Sequence, residues 1–195
     1  MSRERVEASA PFDDALALSG TEGIDEIARA RADWCFSEGG PTGLTLGPSG
    51  AVYSTVCLLE GAVVYAVQGA DQADAARAVD AFLERNGIHS GQGTVVDGLS
   101  DRDLLTGPAL EGGGGRDLPG GGAGGAVSLS WEFGDADRLA VDGLPLADGF
   151  NRVSYDGTIT EGTPEDVRQS GARYSLTVRL MWRYFSGAGD GELPR

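Results

Sequence analysis

The chain of 195 residues carries 15 basic and 30 acidic residues, for a formal charge of −15, and its 41% hydrophobic content is enough to bury one core. All 15 bases are arginine; without lysine, a Walker phosphate loop, Schiff-base and pyridoxal chemistry, and a Ser-x-x-Lys acylase are excluded. The negative charge opposes broad nucleic-acid binding and anionic membrane surfaces, and no apolar run approaches the roughly 18 residues of a membrane span.

Residues 1–10 read as a loose, charged tail without the apolar core of a signal peptide, which predicts a protein made and kept in a cytoplasm or assembled there. Pro11 suits the opening of a short helical turn ending near Leu18. Thr21 resembles an N-cap, and Ile24, Ile27, Ala28 and Ala32 follow at helical spacing, so the pattern predicts a helix over 22–34. Two clusters of Gly and Pro, at 39–43 and 47–50, then break the chain.

Residues 51–59 and 62–68 are rich in β-branched and aromatic types, with Glu60-Gly61 as a turn between them. They predict a hairpin or two successive strands. Asp71 caps a following helix whose Ala75, Ala76, Val79, Phe82 and Leu83 fall on one face. Asn86-Gly87 ends it with the glycine suited to a left-handed stop.

Beyond Ser90 the periodic signal fades. Residues 107–125 read as a flexible loop, because nine of the fifteen positions from 111 to 125 are glycine. Residues 126–133 return to strand character, and Asp142-Gly143 and Asp156-Gly157 have turn composition. The strongest pattern is 172–185. Tyr174, Leu176, Val178, Leu180, Trp182 and Tyr184 alternate with Arg173, Ser175, Thr177, Arg179, Met181 and Arg183. One face of this strand is apolar and packs on a core, which predicts a long strand that overhangs a compact domain or sits centrally in an antiparallel sheet.

No motif predicts catalysis, a cofactor or a metal site. Cys35 and Cys57 read as free buried thiols, with a single disulfide as the other state. His89, the only histidine, reads as a loop residue, and one His with two distant Cys gives no zinc spacing. Ser49 lacks the glycine two positions on that a nucleophile elbow requires. Gly120, Gly122 and Gly125 match a dinucleotide fingerprint only by composition, since a strand follows where a helix is needed. Asp135, Asp137, Asp142 and Asp148 lack the glycine and glutamate of a calcium loop. Arg173, Arg179 and Arg183 on the polar face of the last strand are the candidate subunit-interface residues, because arginine pairs well with carboxylates on a neighbouring copy.

Two stretches carry a family resemblance: the strand–helix unit GAVVYAVQGADQADAARAVDAFLERNG at 61–87, and the turn-rich segment with its alternating final strand at 149–184. Their order resembles the tail terminator (tail completion) proteins of tailed bacteriophages and related viruses. The resemblance implies a non-enzymatic virion protein. It would form a homo-oligomeric ring, usually hexameric, at the head–tail junction, with the tail tube and connector as partners. DNA would pass through the ring without specific binding. The expected architecture is one α+β domain over 1–195, a mainly antiparallel sheet with two or three helices and a glycine-rich loop. The alternatives are another tail tube or connector subunit, and a small acidic binding protein, immunity protein or enzyme of a cytoplasm.

Overall fold

A computed structural model describes residues 3–38, 54–90, 93–99, 104, 109–115, 127–136, 151–161 and 164–188. The elements run α1 (Arg3–Leu16), β1 (Ile24–Glu38), β2 (Ser54–Val67), α2 (Gln72–Arg85), β3 (His89–Ser90), α3 (Val95–Gly98), β4 (Leu110–Gly115), β5 (Val127–Asp135), β6 (Asn151–Glu161), α4 (Pro164–Gln169) and β7 (Tyr174–Ala188). The seven strands form one sheet in the order β3-β4-β5-β7-β2-β1-β6, and every pairing is antiparallel. This is the α+β architecture that the sequence predicts, and of the two places open to the long last strand, β7 takes the sheet centre.

The front of the sheet is covered by α1 and α2. The alternation of β7 puts Tyr174, Leu176, Val178, Leu180 and Trp182 on this side, against Leu59, Val63, Tyr65 and Val67 of β2. From α2 come Ala75, Ala76, Val79, Phe82 and Leu83, the stripe that its helical period specifies. Tyr65 and Phe82 meet with ring centroids 4.8 Å apart. Asp71 caps α2 by accepting from the amides of Ala73 and Asp74, and Gly87 follows with φ +65°. Asp80 of α2 accepts from the amides of Val95 and Val96, which fixes α3 against α2.

Residues 3–10 are not a loose tail. Arg3–Leu16 is a helix whose Ala8, Phe12, Ala15 and Leu16 enter the core, and Pro11 lies inside it. The first turn of α1 is tied down by Arg5, which pairs with Asp33 on β1. Arg31 adds a second tie to Asp13 at 2.7 Å.

The helix expected over 22–34 is strand β1. Its buried residues Ala28, Ala30, Ala32 and Trp34 alternate with period two, and a bulge between Glu26 and Ala28 interrupts that count. The four-residue spacing of Ile24, Ala28 and Ala32 satisfies a helical template equally well, and pairing with β2 and β6 decides between them.

Glu60-Gly61 is not a turn either. β2 passes straight through both residues and pairs along its whole length with β1 and β7. A glycine is needed at 61 because the Leu16 side chain of α1 occupies the space that a Cβ would fill. β6 likewise runs through Asp156-Gly157, where a register shift opposite Ala32 and Trp34 absorbs the pair. Part of the predicted 107–125 loop is also strand: Leu110–Gly115 forms β4, held by β5 on one side and by His89 and Ser90 on the other. His89 is therefore in a short strand. The rest of the glycine-rich stretch, 116–126, lies outside the described residues, as do Ser49, Asp142-Gly143 and Asp148.

Candidate functional site: a polar cleft on the back of the sheet

Side chains on the back of the sheet follow from the same alternation. Beside β2 and β1 this face is apolar and closed: Val56, Leu58, Ala62, Ala30, Ala32 and Trp34 form a buried cluster. Beside β4, β5 and β7 it is polar and open, with a cleft of about 430 Å³.

The register builds the cleft from two parallel rows. One is Glu111, Glu132 and Thr177; the other is Gly113, Ser130 and Arg179. Neighbours within a row are about 5 Å apart across the strands, and the rows lie about 7 Å apart along them. Glycine at 113 leaves the β4 side of the second row without a side chain, so the cleft opens there. On the other side of β4, the Trp131 ring fills the space that a Cβ on Gly112 would need.

Glu111 and Glu132 stand directly opposite one another, a like-charge pair. Burial raises the Glu132 carboxyl above its ordinary value, the charge of Glu111 raises it further, and Arg179 partly offsets both. Burial likewise raises Glu60 on β2, against a hydrogen bond from the Trp34 indole at 3.3 Å and the charge of Arg179. Arg179 thus lies in the field of carboxylates from its own sheet. Among the described residues, Glu111, Glu132 and Arg179 form no ion pair or hydrogen bond. Thr177 is 4% exposed, lines the cleft, and has no hydrogen-bond partner for its hydroxyl among the described residues.

The three predicted interface arginines do not form one stripe. Arg179 is half-buried in the cleft. Arg183 is half-buried further along β7, opposite Leu58, with the exposed Met181 between them. Arg173 is exposed and precedes β7, its guanidinium over the ring of Tyr174. Ser175 and Thr177 are buried, so the polar face of β7 is only partly solvated.

A second polar group lies on the front, where α1 crosses the sheet. Asp33 of β1, 3% exposed, accepts from the Tyr184 hydroxyl at 2.9 Å and pairs with Arg5 at 3.0 Å. Beside it, Cys35 and Cys57 are joined in a disulfide, which replaces the expected free thiols. They are register partners across β1 and β2, with Cα atoms 4.1 Å apart. The spacing of 22 residues gave no sign of this, because it depends on β1 being a strand.

No group of three or more potential metal ligands among the described residues is placed to hold an ion. No family model, curated protein or solved structure matches the chain.

Proposed function

We propose that the chain is a structural virion protein of a tailed virus, a tail terminator subunit that forms a homo-oligomeric ring at the head–tail junction and carries out no catalysis. The observation that carries this reading is an adjacency. The final long strand β7 lies beside β2 at the sheet centre, and α2, which directly follows β2, packs across both. These two stretches, 61–87 and 149–184, are the ones whose order resembles the family. The Cys35–Cys57 disulfide fits a particle that leaves the cell, since disulfides persist on virions and are rare in a reducing cytosol.

In this reading the partner-facing surface is built from exposed charge and the ends of the sheet. Arg173 is its most accessible arginine and Arg183 a flanking one, while Arg179 stands in the field of Glu132 and Glu60 of its own chain without an ion pair. Subunits meeting head to tail through such unlike surfaces close into a ring. The ring docks the tail tube on one side and the connector on the other.

The deciding measurement is the native mass of the full chain by light scattering, at low and at high salt. A closed ring near six times the 20.1 kDa subunit supports the reading. A monomer at every concentration and salt overturns it in favour of a small acidic binding protein.

A further inference from the structure

The charged groups of the cleft are aimed at one another's space without contact. Glu111 and Glu132 are opposed in register and unpaired, and their repulsion costs stability. One unpaired cation, Arg179, stands in the adjacent row and leaves the site with an excess negative charge. The Thr177 hydroxyl, on a side chain more than nine-tenths buried, lines the same space without a partner. Its oxygen is open to the cleft, where a ligand atom or a water can supply the missing hydrogen bond.

A metal ion does not answer this arrangement. Two carboxylates on neighbouring strands next to a guanidinium supply too few oxygen ligands, and no grouping of metal ligands occurs here. A flat or compact organic cation does answer it: it offers several donors to two carboxylates and a hydroxyl, and it tolerates Arg179 at its far side.

We propose that this cleft is a binding site for an organic cation, a guanidinium or primary ammonium group seated over Glu132, paired with the Glu132 and Glu111 carboxylates on one side and facing the Thr177 hydroxyl on the other. The site stands independently of the ring reading. The cation has two possible sources: a free small molecule, or an arginine side chain of a second copy of this chain.

The test is calorimetric titration of the full chain with agmatine at constant ionic strength, with sodium and magnesium chlorides as reference ligands. Glu111→Gln and Glu132→Gln each weaken agmatine binding about tenfold, and Arg179→Met tightens it by removing the competing cation. Both glutamine variants are isosteric, and circular dichroism verifies their fold. The native mass in the same samples separates the sources. A mass that falls with added agmatine assigns the cation to a second copy; an unchanged mass with saturable binding assigns it to a free molecule. Equal agmatine affinity in wild type and both variants overturns the site, because the chain's overall charge would then account for the binding. Tighter magnesium binding that is lost in both variants also overturns it, and so does the absence of binding at 10 mM agmatine, about the weakest affinity such contacts leave.

Discussion

The Tyr184 hydroxyl donates to Asp33 at 2.9 Å and joins the last strand to the first across 151 positions of sequence. Burial pushes Tyr184 up to about 12, so the phenol keeps its proton and stays a donor throughout the neutral range. Arg5 closes the group by donating to both the tyrosine oxygen and the Asp33 carboxylate. One helix and two strands are therefore fixed at a single buried charge.

Tyr184→Phe removes one hydrogen bond to that charge and is expected to cost about 1–2 kcal/mol in urea unfolding. Asp33→Ala leaves Arg5 without its buried partner and costs more, about 3 kcal/mol. The pH dependence has a definite sign. Folding raises the tyrosine above its ordinary 10.0, so its stabilisation is complete below pH 10 and declines as pH rises towards 12. Tyr184→Phe abolishes that alkaline component, which pH titration of the urea midpoint detects. An identical alkaline slope in both proteins contradicts the assignment.

The disulfide gives a prediction of its own. It closes a loop across a separation of 22 residues, which corresponds to about 3 kcal/mol of lost unfolded-state entropy. Reduction by a dithiol, or the pair Cys35→Ser and Cys57→Ser, is expected to lower stability by roughly that amount while leaving the ladder of β1 and β2 intact. Urea unfolding with and without reductant measures the loss, and far-ultraviolet circular dichroism of the reduced protein checks that the sheet remains.

Gly61 tests the path of β2. A Cβ there runs into Leu16 of α1, so Gly61→Ala is expected to cost about 1–3 kcal/mol through overpacking. Leu16→Ala in the same chain makes room for the methyl group and should recover part of the loss, despite its own cavity cost. If position 61 were a hairpin turn, the two substitutions would simply add.

How far the sequence speaks depends on whether a pattern is local. α2 is legible because one cap, one apolar stripe and one terminal glycine agree within 17 residues, from Asp71 to Gly87. β7 is legible because its alternation runs without a bulge through Trp182. β1 is not, because its core residues are mostly alanine and the bulge at Ile27 breaks the count. The first part of α1, residues 3–10, escapes notice because its anchor, Arg5 to Asp33, is tertiary. Arg179 can be picked out as a base on a polar strand face. The cleft cannot: Glu111 and Glu132 stand on separate strands joined through a glycine-rich stretch, and only the pairing of β4 with β5 sets them opposite. The disulfide is hidden for the same reason, since it requires the register of β1 on β2.

Glu132 provides the last test, because burial and the facing Glu111 make its charge unfavourable. Burial first, and then Glu111, raise its carboxyl above the ordinary 4.5. A raised carboxyl binds a proton more tightly when folded, so its contribution is favourable below pH 4.5 and is lost as pH rises through the folded value. At pH 7 the ionised side chain is therefore a net cost, about 0.2–1 kcal/mol for a cross-strand like-charge pair. Glu132→Gln is expected to raise the thermal midpoint at pH 7, with the advantage shrinking as pH falls through the raised folded value towards 4.5. Glu111→Gln should do the same through the lost repulsion, and the double variant should gain less than the sum, because either substitution alone removes the shared term. Added agmatine should stabilise wild type and not the double variant, since the ligand supplies the compensating charge that glutamine makes unnecessary. Additive gains at pH 7, or equal stabilisation of both proteins by agmatine, would show that the two carboxylates do not share a site.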